Sequence, residues 1–363
     1  MFLSCISILT AMSAVVGRLN VNDVLKVTAS YQIFWNLNYF LLIYLCVIKQ
    51  DHNDAQYTPY FFDRFGTTYN YLFSAFFGLI YVCFISKQKI PYIHPRNEAS
   101  RTSLIMSAIG TAFLFATFVF TYTDLIAYTP FGENLSRFNI IWALTGSVLG
   151  TYIGSAVAGR GRVGFKEALV GTITGGIIMG DAAPALHNIG LTIMIGAIGG
   201  FFSGLYMRLV HPKINKTNIV DAMGLFGPFF ITSLLGSLVV TPAVIIWYWN
   251  QGTTNLGIGS SYPYTLAGWQ LVYVGISAAL GIGCGLFAGI MSVCEKNYFA
   301  LASNSRMFEN DFGLYTPQDL YYGDPNNPPP VPGGYAPTPV GDTVYYADTN
   351  QNLNSGVRGN SVI

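Results

Sequence analysis

The stretch GWQLVYVGISAALGIGCGLFAGIMSV, residues 268–293, decides the fold. It holds no Asp, Glu, Lys or Arg. A helix on the surface of a soluble domain keeps one polar face, whereas this one is apolar all round. At about 1.5 Å per residue it is long enough to cross about 30 Å of hydrocarbon. Working outward with the same ruler marks eight further segments, at about 1–16, 25–48, 67–86, 103–124, 138–158, 167–184, 189–210 and 221–248. The first is short, and the sixth is Gly-rich and interrupted by Asp181 and Pro184. The links are short, so neighbouring helices are expected to run antiparallel and to pack. The expectation is an all-α polytopic membrane protein with about nine transmembrane helices.

Composition agrees. Of 363 residues 52% are hydrophobic and only 10% charged, against about 25% charged in soluble domains. Too few charges are present to cover a soluble surface of this size, and a bilayer removes that need. The 39 glycines suit close helix packing in a membrane. A net charge of +1 gives no electrostatic footprint for nucleic acid. Cys5, Cys46, Cys83, Cys284 and Cys294 lie in apolar stretches without CxxC spacing, so neither a disulfide framework nor a metal site is expected.

With nine crossings, 15 of the 18 Lys and Arg fall on one side and only Lys49, Arg64 and Arg137 on the other. By the positive-inside rule the basic side, with the C-terminus, faces the cytoplasm, or the matrix in a mitochondrial membrane. The chain opens directly into an apolar segment without a basic n-region or cleavage pattern. It is expected to start either as a reverse-oriented anchor or downstream of helices that this chain lacks. Residues 1–297 form the expected transmembrane domain. Residues 298–363 turn to Tyr, Asn, Asp, Gly and Pro, and the run from Asn326 to Gly334 cannot sit inside a helix or strand. That tail is expected to be solvated, its tyrosines suiting it to docking on a protein partner.

Chemistry is sparse. The sequence has no phosphate-binding GxxxxGK[ST], no HExxH and no GxSxG. The stretch from Gly159 to Gly164, GRGRVG, reads as a tight basic turn between spans. His52, His94, His187 and His211 lie in links or at span ends, so no intramembrane histidine relay, metal or cofactor is expected, and no enzyme. Ionisable residues within membranes are the usual functional candidates. Here they are Asp63, Asp124, Asp181 and Asp221, each near a span end where a cap or an interfacial position serves equally well. Asn134-Leu135-Ser136 is an N-glycosylation sequon in an expected link on the less basic side.

Several stretches resemble the Rh glycoprotein branch of the ammonium transporter (Amt/Mep/Rh) superfamily. They are Ser13 to Arg18 with Asn38 and Phe40, Phe73 to Leu79, Ala108 to Thr111 with Phe113 and Leu114, Gly171 to Gly176 with Gly180, Gly196 to Phe201 with Leu205 and Tyr206, and Asp221 to Gly224. The resemblance covers about residues 2–297 and implies a pseudo-symmetric helix bundle, a homotrimer, and a narrow pore through each subunit. It begins at the family's third helix, which implies an incomplete inverted repeat. The paired pore histidines fall on Tyr71 and Phe229, and a further histidine falls on Phe226. The family's aspartate before the first histidine is kept as Asp63. An apolar path resists an unaided ammonium ion. Tyr71 keeps one hydroxyl, and Phe229 offers no hydrogen-bonding group. The resemblance therefore implies a degenerate, non-conducting protein with a structural role in a membrane complex. The alternative is a channel for neutral ammonia, carbon dioxide or another small solute, lined by Asp63, Tyr71, Phe226 and Phe229. Asp221 is expected to be a structural acid.

Overall fold

A computed structural model describes residues 2–15, 19, 21–44, 63, 65–85, 101–120, 132–214, 221, 223–251 and 262–296. The described chain is all-helical. In order it runs α1 (Phe2–Met12), α2 (Val21–Ile43), α3 (Phe73–Ile85), α4 (Arg101–Thr117), α5 (Gly132–Ala158), α6 (Phe165–Thr172), α7 (Thr174–Met179), α8 (Ile189–Leu205), α9 (His211–Ile214), α10 (Thr232–Gln251) and α11 (Tyr262–Lys296). Three widened π-helical turns join or precede these: Thr67–Leu72 runs into α3, Tyr206–Val210 links α8 to α9, and Phe226–Ile231 runs into α10. Residues 298–363 and Asp124 lie outside the described residues.

Among the described residues six continuous helical rods are long and apolar enough to cross a bilayer: Thr67–Phe84, Thr102–Phe120, Asn134–Ala158, Ile189–Ile214, Phe226–Ala243 and Ala267–Ser292. The other three expected spans differ for local reasons. Helix α1 stops at Met12. Helix α2 is long enough, but Asn22, Asp23, Lys26, Gln32, Asn36 and Asn38 dilute its apolar character. The segment 167–184 is not one helix. It breaks at Ile173 between α6 and α7 and ends in a non-helical turn over 180–185. Two Thr and four Gly within the ten residues 171–180 weaken it as a helix, and Pro184 cannot continue one.

Helices α5 and α8 form the closest seam. Gly146, Gly150 and Gly154 of α5 lie against the backbone carbonyls of Ile193, Ala197 and Phe201. Gly196, Gly200 and Gly204 of α8 reciprocate against those of Ala143, Ser147 and Thr151. Each series repeats every fourth residue, so all six stand on one stripe of their helix and the backbones meet without side chains between them. Between α5 and α6, Arg160 (φ 52°) and Gly161 (φ 85°) make the expected tight turn.

Two buried clusters share a border. One gathers Phe65, Tyr71, Phe118, Ile140, Ile177 and Val240 with others, and the second gathers Tyr31, Trp35, Phe73, Phe77, Tyr81 and Tyr273 with others. Phe229 packs against both. The second cluster also holds polar groups, which a bilayer forces to find partners inside the protein. Tyr31 and Ser74 share a 2.6 Å hydrogen bond, Trp35 Nε1 donates to Asn70 Oδ1 at 2.9 Å, and Asn38 Nδ2 donates to Ser277 Oγ at 3.2 Å.

Candidate functional site

Two short motifs build the centre of the bundle by the same local rules. Asp63-Arg64-Phe65-Gly66 precedes the turn Thr67–Leu72, and Asp221-Ala222-Met223-Gly224 precedes the turn Phe226–Ile231. The glycines have φ of 77° and 87°, a left-handed conformation that a Cβ disfavours. Each lets the chain double back so that the aspartate faces the start of the next helix. Asp63 Oδ2 accepts from Thr68 N at 3.1 Å and Tyr69 N at 2.8 Å. Asp221 Oδ1 accepts from Gly224 N at 3.0 Å and Leu225 N at 2.7 Å. Its Oδ2 accepts from Phe226 N and from the Tyr206 hydroxyl, both at 3.0 Å. Helix starts leave amide hydrogens without intrahelical acceptors, and in a bilayer a buried carboxylate is a strong way to satisfy them.

The correspondence continues downstream. In both turns an amide reaches back five residues, Tyr71 N to Gly66 O at 2.9 Å and Phe230 N to Leu225 O at 3.1 Å. Seven residues after each aspartate a backbone carbonyl, of Asn70 or Pro228, accepts a hydroxyl four residues on, from Ser74 or Thr232. Eight residues after each aspartate stands an aromatic ring, Tyr71 or Phe229. The two rings stack on one another with centroids 6.4 Å apart and planes 25° apart. Tyr71 also stacks on Phe118, again with centroids 6.4 Å apart. Tyr71 and Phe118 are buried core, and the partly buried Phe229 packs against them.

The residues expected to line one path divide into three places. Tyr71 and Phe229 come together. Phe226, half-buried, joins a separate aromatic group, stacking on Phe230 at 5.1 Å and lying 5.5 Å from Tyr206. Asp63 is buried and caps the first π-turn, and Thr68, which donates its amide to Asp63, donates its hydroxyl to Asp181. Asp181, on the turn after α7, is also fully buried. Its Oδ2 accepts from the Thr68 hydroxyl at 2.6 Å, and that hydroxyl is 2.8 Å from Ser237 Oγ. Asn134 stands in the first turn of α5 rather than in a link, because that helix starts at Gly132, and Ser136 of its sequon is buried.

Sequence reasoning did not single out Phe118, which carries no signal beyond its apolar character. It weighed the two aspartates apart, although Asp-x-x-Gly with an aromatic eight residues after the Asp occurs at both. Glu167 accepts from Arg208 Nη1 at 3.1 Å and from Gly164 N at 3.0 Å, which ties the start of α6 to the π-turn Tyr206–Val210.

The model of the Ammonium Transporter Family matches residues 7–296. Among curated relatives, the human ammonium transporter Rh type C is 22% identical over 356 residues, covering 93% of this chain and 71% of its own length. The pig ammonium transporter Rh type B is 24% identical over 237 residues, covering 64% of this chain and 48% of its own length. Among solved structures, Nitrosomonas europaea Rh50 superposes with a TM-score of 0.66 at 21% identity, over 88% of this chain and 75% of that one. Saccharomyces cerevisiae Mep2 superposes with a TM-score of 0.59 at 13% identity, over 82% and 64%. The helical bundle, its apolar rods and the span of the match together make this chain an integral membrane protein that belongs to the ammonium transporter family, in its Rh branch.

Proposed function

We propose that this chain is a non-conducting Rh-type protein that serves as a structural subunit of a membrane complex. The observation that carries the reading is the Phe118–Tyr71–Phe229 stack at the meeting point of the two capped turns. Three stacked rings stand there, and none of them is an imidazole. A cation there would exchange its hydration for ring faces and the one hydroxyl of Tyr71, which is poor compensation. In this reading the chain crosses the membrane nine times with its C-terminus on the basic side. It assembles as a homotrimer or with other membrane subunits, and residues 298–363 form a segment that docks on a protein partner.

The test is methylamine or ammonia flux in proteoliposomes, comparing the native chain with the Tyr71→His, Phe229→His double variant. The native chain is expected to match empty vesicles. Flux above that background in the native chain refutes the reading and favours a channel for a neutral solute. Conduction gained only by the double variant shows that the rings are what closes the path.

A further inference from the structure

The basic turn between α5 and α6 plays no part in that reading. Helices α5 and α8 run parallel, since Gly146, Gly150 and Gly154 meet Ile193, Ala197 and Phe201 in turn. Their apolar rods therefore end at one face of the bundle, at Ala158 and Ile214. There a Cβ on Gly159 would stand 3.2 Å from Arg208 Nε, and Glu167 holds Arg208 Nη1 at 3.1 Å. The turn 159–164, the start of α6 and the π-turn after α8 thus make one surface. Asp221 joins it, with its carbonyl oxygen 2.8 Å from His211 Nε2 and its Oδ2 3.0 Å from the Tyr206 hydroxyl. The surface carries Arg160, Arg162, Lys166, Arg208 and Lys213 against Glu167 and Asp221, an excess of three positive charges. Among the described residues Arg208 alone of these five bases has a carboxylate within salt-bridge distance. Arg160, Arg162 and Lys213 are exposed, and Lys166 and Arg208 half-buried. Val163, Phe165 and Leu209, which adjoin the bases in the chain, are exposed too. The ends of apolar rods lie at the depth of lipid headgroups, where a surplus of positive charge meets phosphate. A free anion would neutralise the bases and leave the apolar side chains in water, whereas a phospholipid covers both.

We propose that this surface binds an anionic phospholipid, its phosphate held by Arg160, Arg162 and Arg208 and its acyl chains lying along Phe165 and Leu209. Arginine suits that role, because its planar fork of donors matches phosphate oxygens. Glu167 fixes the Arg208 guanidinium in place without cancelling the surplus. Lys166 and Lys213 add charge around the headgroup. A zwitterionic lipid brings its own cation against the same bases and binds less well.

The test is native mass spectrometry of the full chain in detergent, with phosphatidylglycerol and phosphatidylcholine of the same acyl chains added in turn. Phosphatidylglycerol is expected to bind more tightly. Arg160→Asn with Arg162→Gln should weaken it about 30-fold, at about fivefold per charge, asparagine being chosen because it tolerates the φ of 52° at that position. Lys213→Gln alone should weaken it about fivefold, which keeps the test decisive if the double variant fails to fold. Excess inorganic phosphate should not displace the lipid, because it has no acyl chains. Equal binding of the two lipids overturns the proposal. So do variants that hold phosphatidylglycerol as the native chain does, and so does full displacement by inorganic phosphate. Binding is read without flux, so conduction by the native chain would refute the structural reading and leave the lipid site standing.

Discussion

The α5–α8 seam predicts that Gly150→Ala is destabilising although alanine is the better helix former. A Cβ built on Gly150 stands 1.9 Å from the Ala197 carbonyl oxygen and 2.7 Å from its carbon. Both are backbone atoms inside a helix, so no rotamer change makes room. Reaching the 3.0 Å below which Cβ contacts essentially never occur requires the helices to part by about 1.1 Å. A gap of about 0.5–1 Å already forfeits a quarter to a half of each dispersion contact. The five other glycine contacts of the seam loosen with it. Overpacking of this kind costs about 1–3 kcal/mol, against a helix-propensity gain of at most about 1 kcal/mol. Gly110 on α4 supplies the control, since a Cβ there meets nothing within 4 Å. Gly110→Ala keeps the propensity gain alone. The propensity gain cancels between them, so the two variants should differ by the overpacking cost of about 1–3 kcal/mol, read as a thermal midpoint roughly 2–12 °C lower for Gly150→Ala in matched detergent. Tryptophan fluorescence on heating provides the assay. Equal midpoints, or a higher one for Gly150→Ala, would refute a seam built on backbone contact.

Asp221→Asn leaves one acceptor oxygen where the carboxylate served four donors, and should cost about 2–4 kcal/mol, measured as a lowered midpoint and faster proteolysis near residue 221. Gly66→Ala should be destabilising by about 1–2 kcal/mol because φ is 77° there, and Gly161→Ala by a similar amount at φ 85° despite open space around it, which the same melts report.

What the sequence made legible follows from what a bilayer demands. Length and unbroken apolar character mark the rods, since a spanning helix must be apolar on its lipid faces. They mark α11 and α8 better than α6 and α7, where the chain breaks in the interior and hydropathy cannot tell a turn packed inside protein from a weak helix. Resemblance located Tyr71 and Phe229, yet whether they meet depends on two chain reversals at Gly66 and Gly224 that no local periodicity reports. Asp181 was visible as an acid in an apolar stretch. Its hydrogen-bond partner was not, because Thr68 lies 113 residues away in the chain and the contact is made by the tertiary fold alone.

The widened turns at Thr67–Leu72 and Phe226–Ile231 have a consequence for how sequence change propagates. A π-helical turn is an α-helix carrying one surplus residue. Removing that residue from either turn would leave a continuous helix, but everything on one side of the cut would swing by about 100° about the helix axis. Tyr71 would leave Phe118, or Phe229 would leave Tyr71, with no side chain altered. Homologues can therefore exchange the rings freely while a single-codon deletion within these twelve positions is barred, and alignments of distant relatives should show substitutions there without gaps.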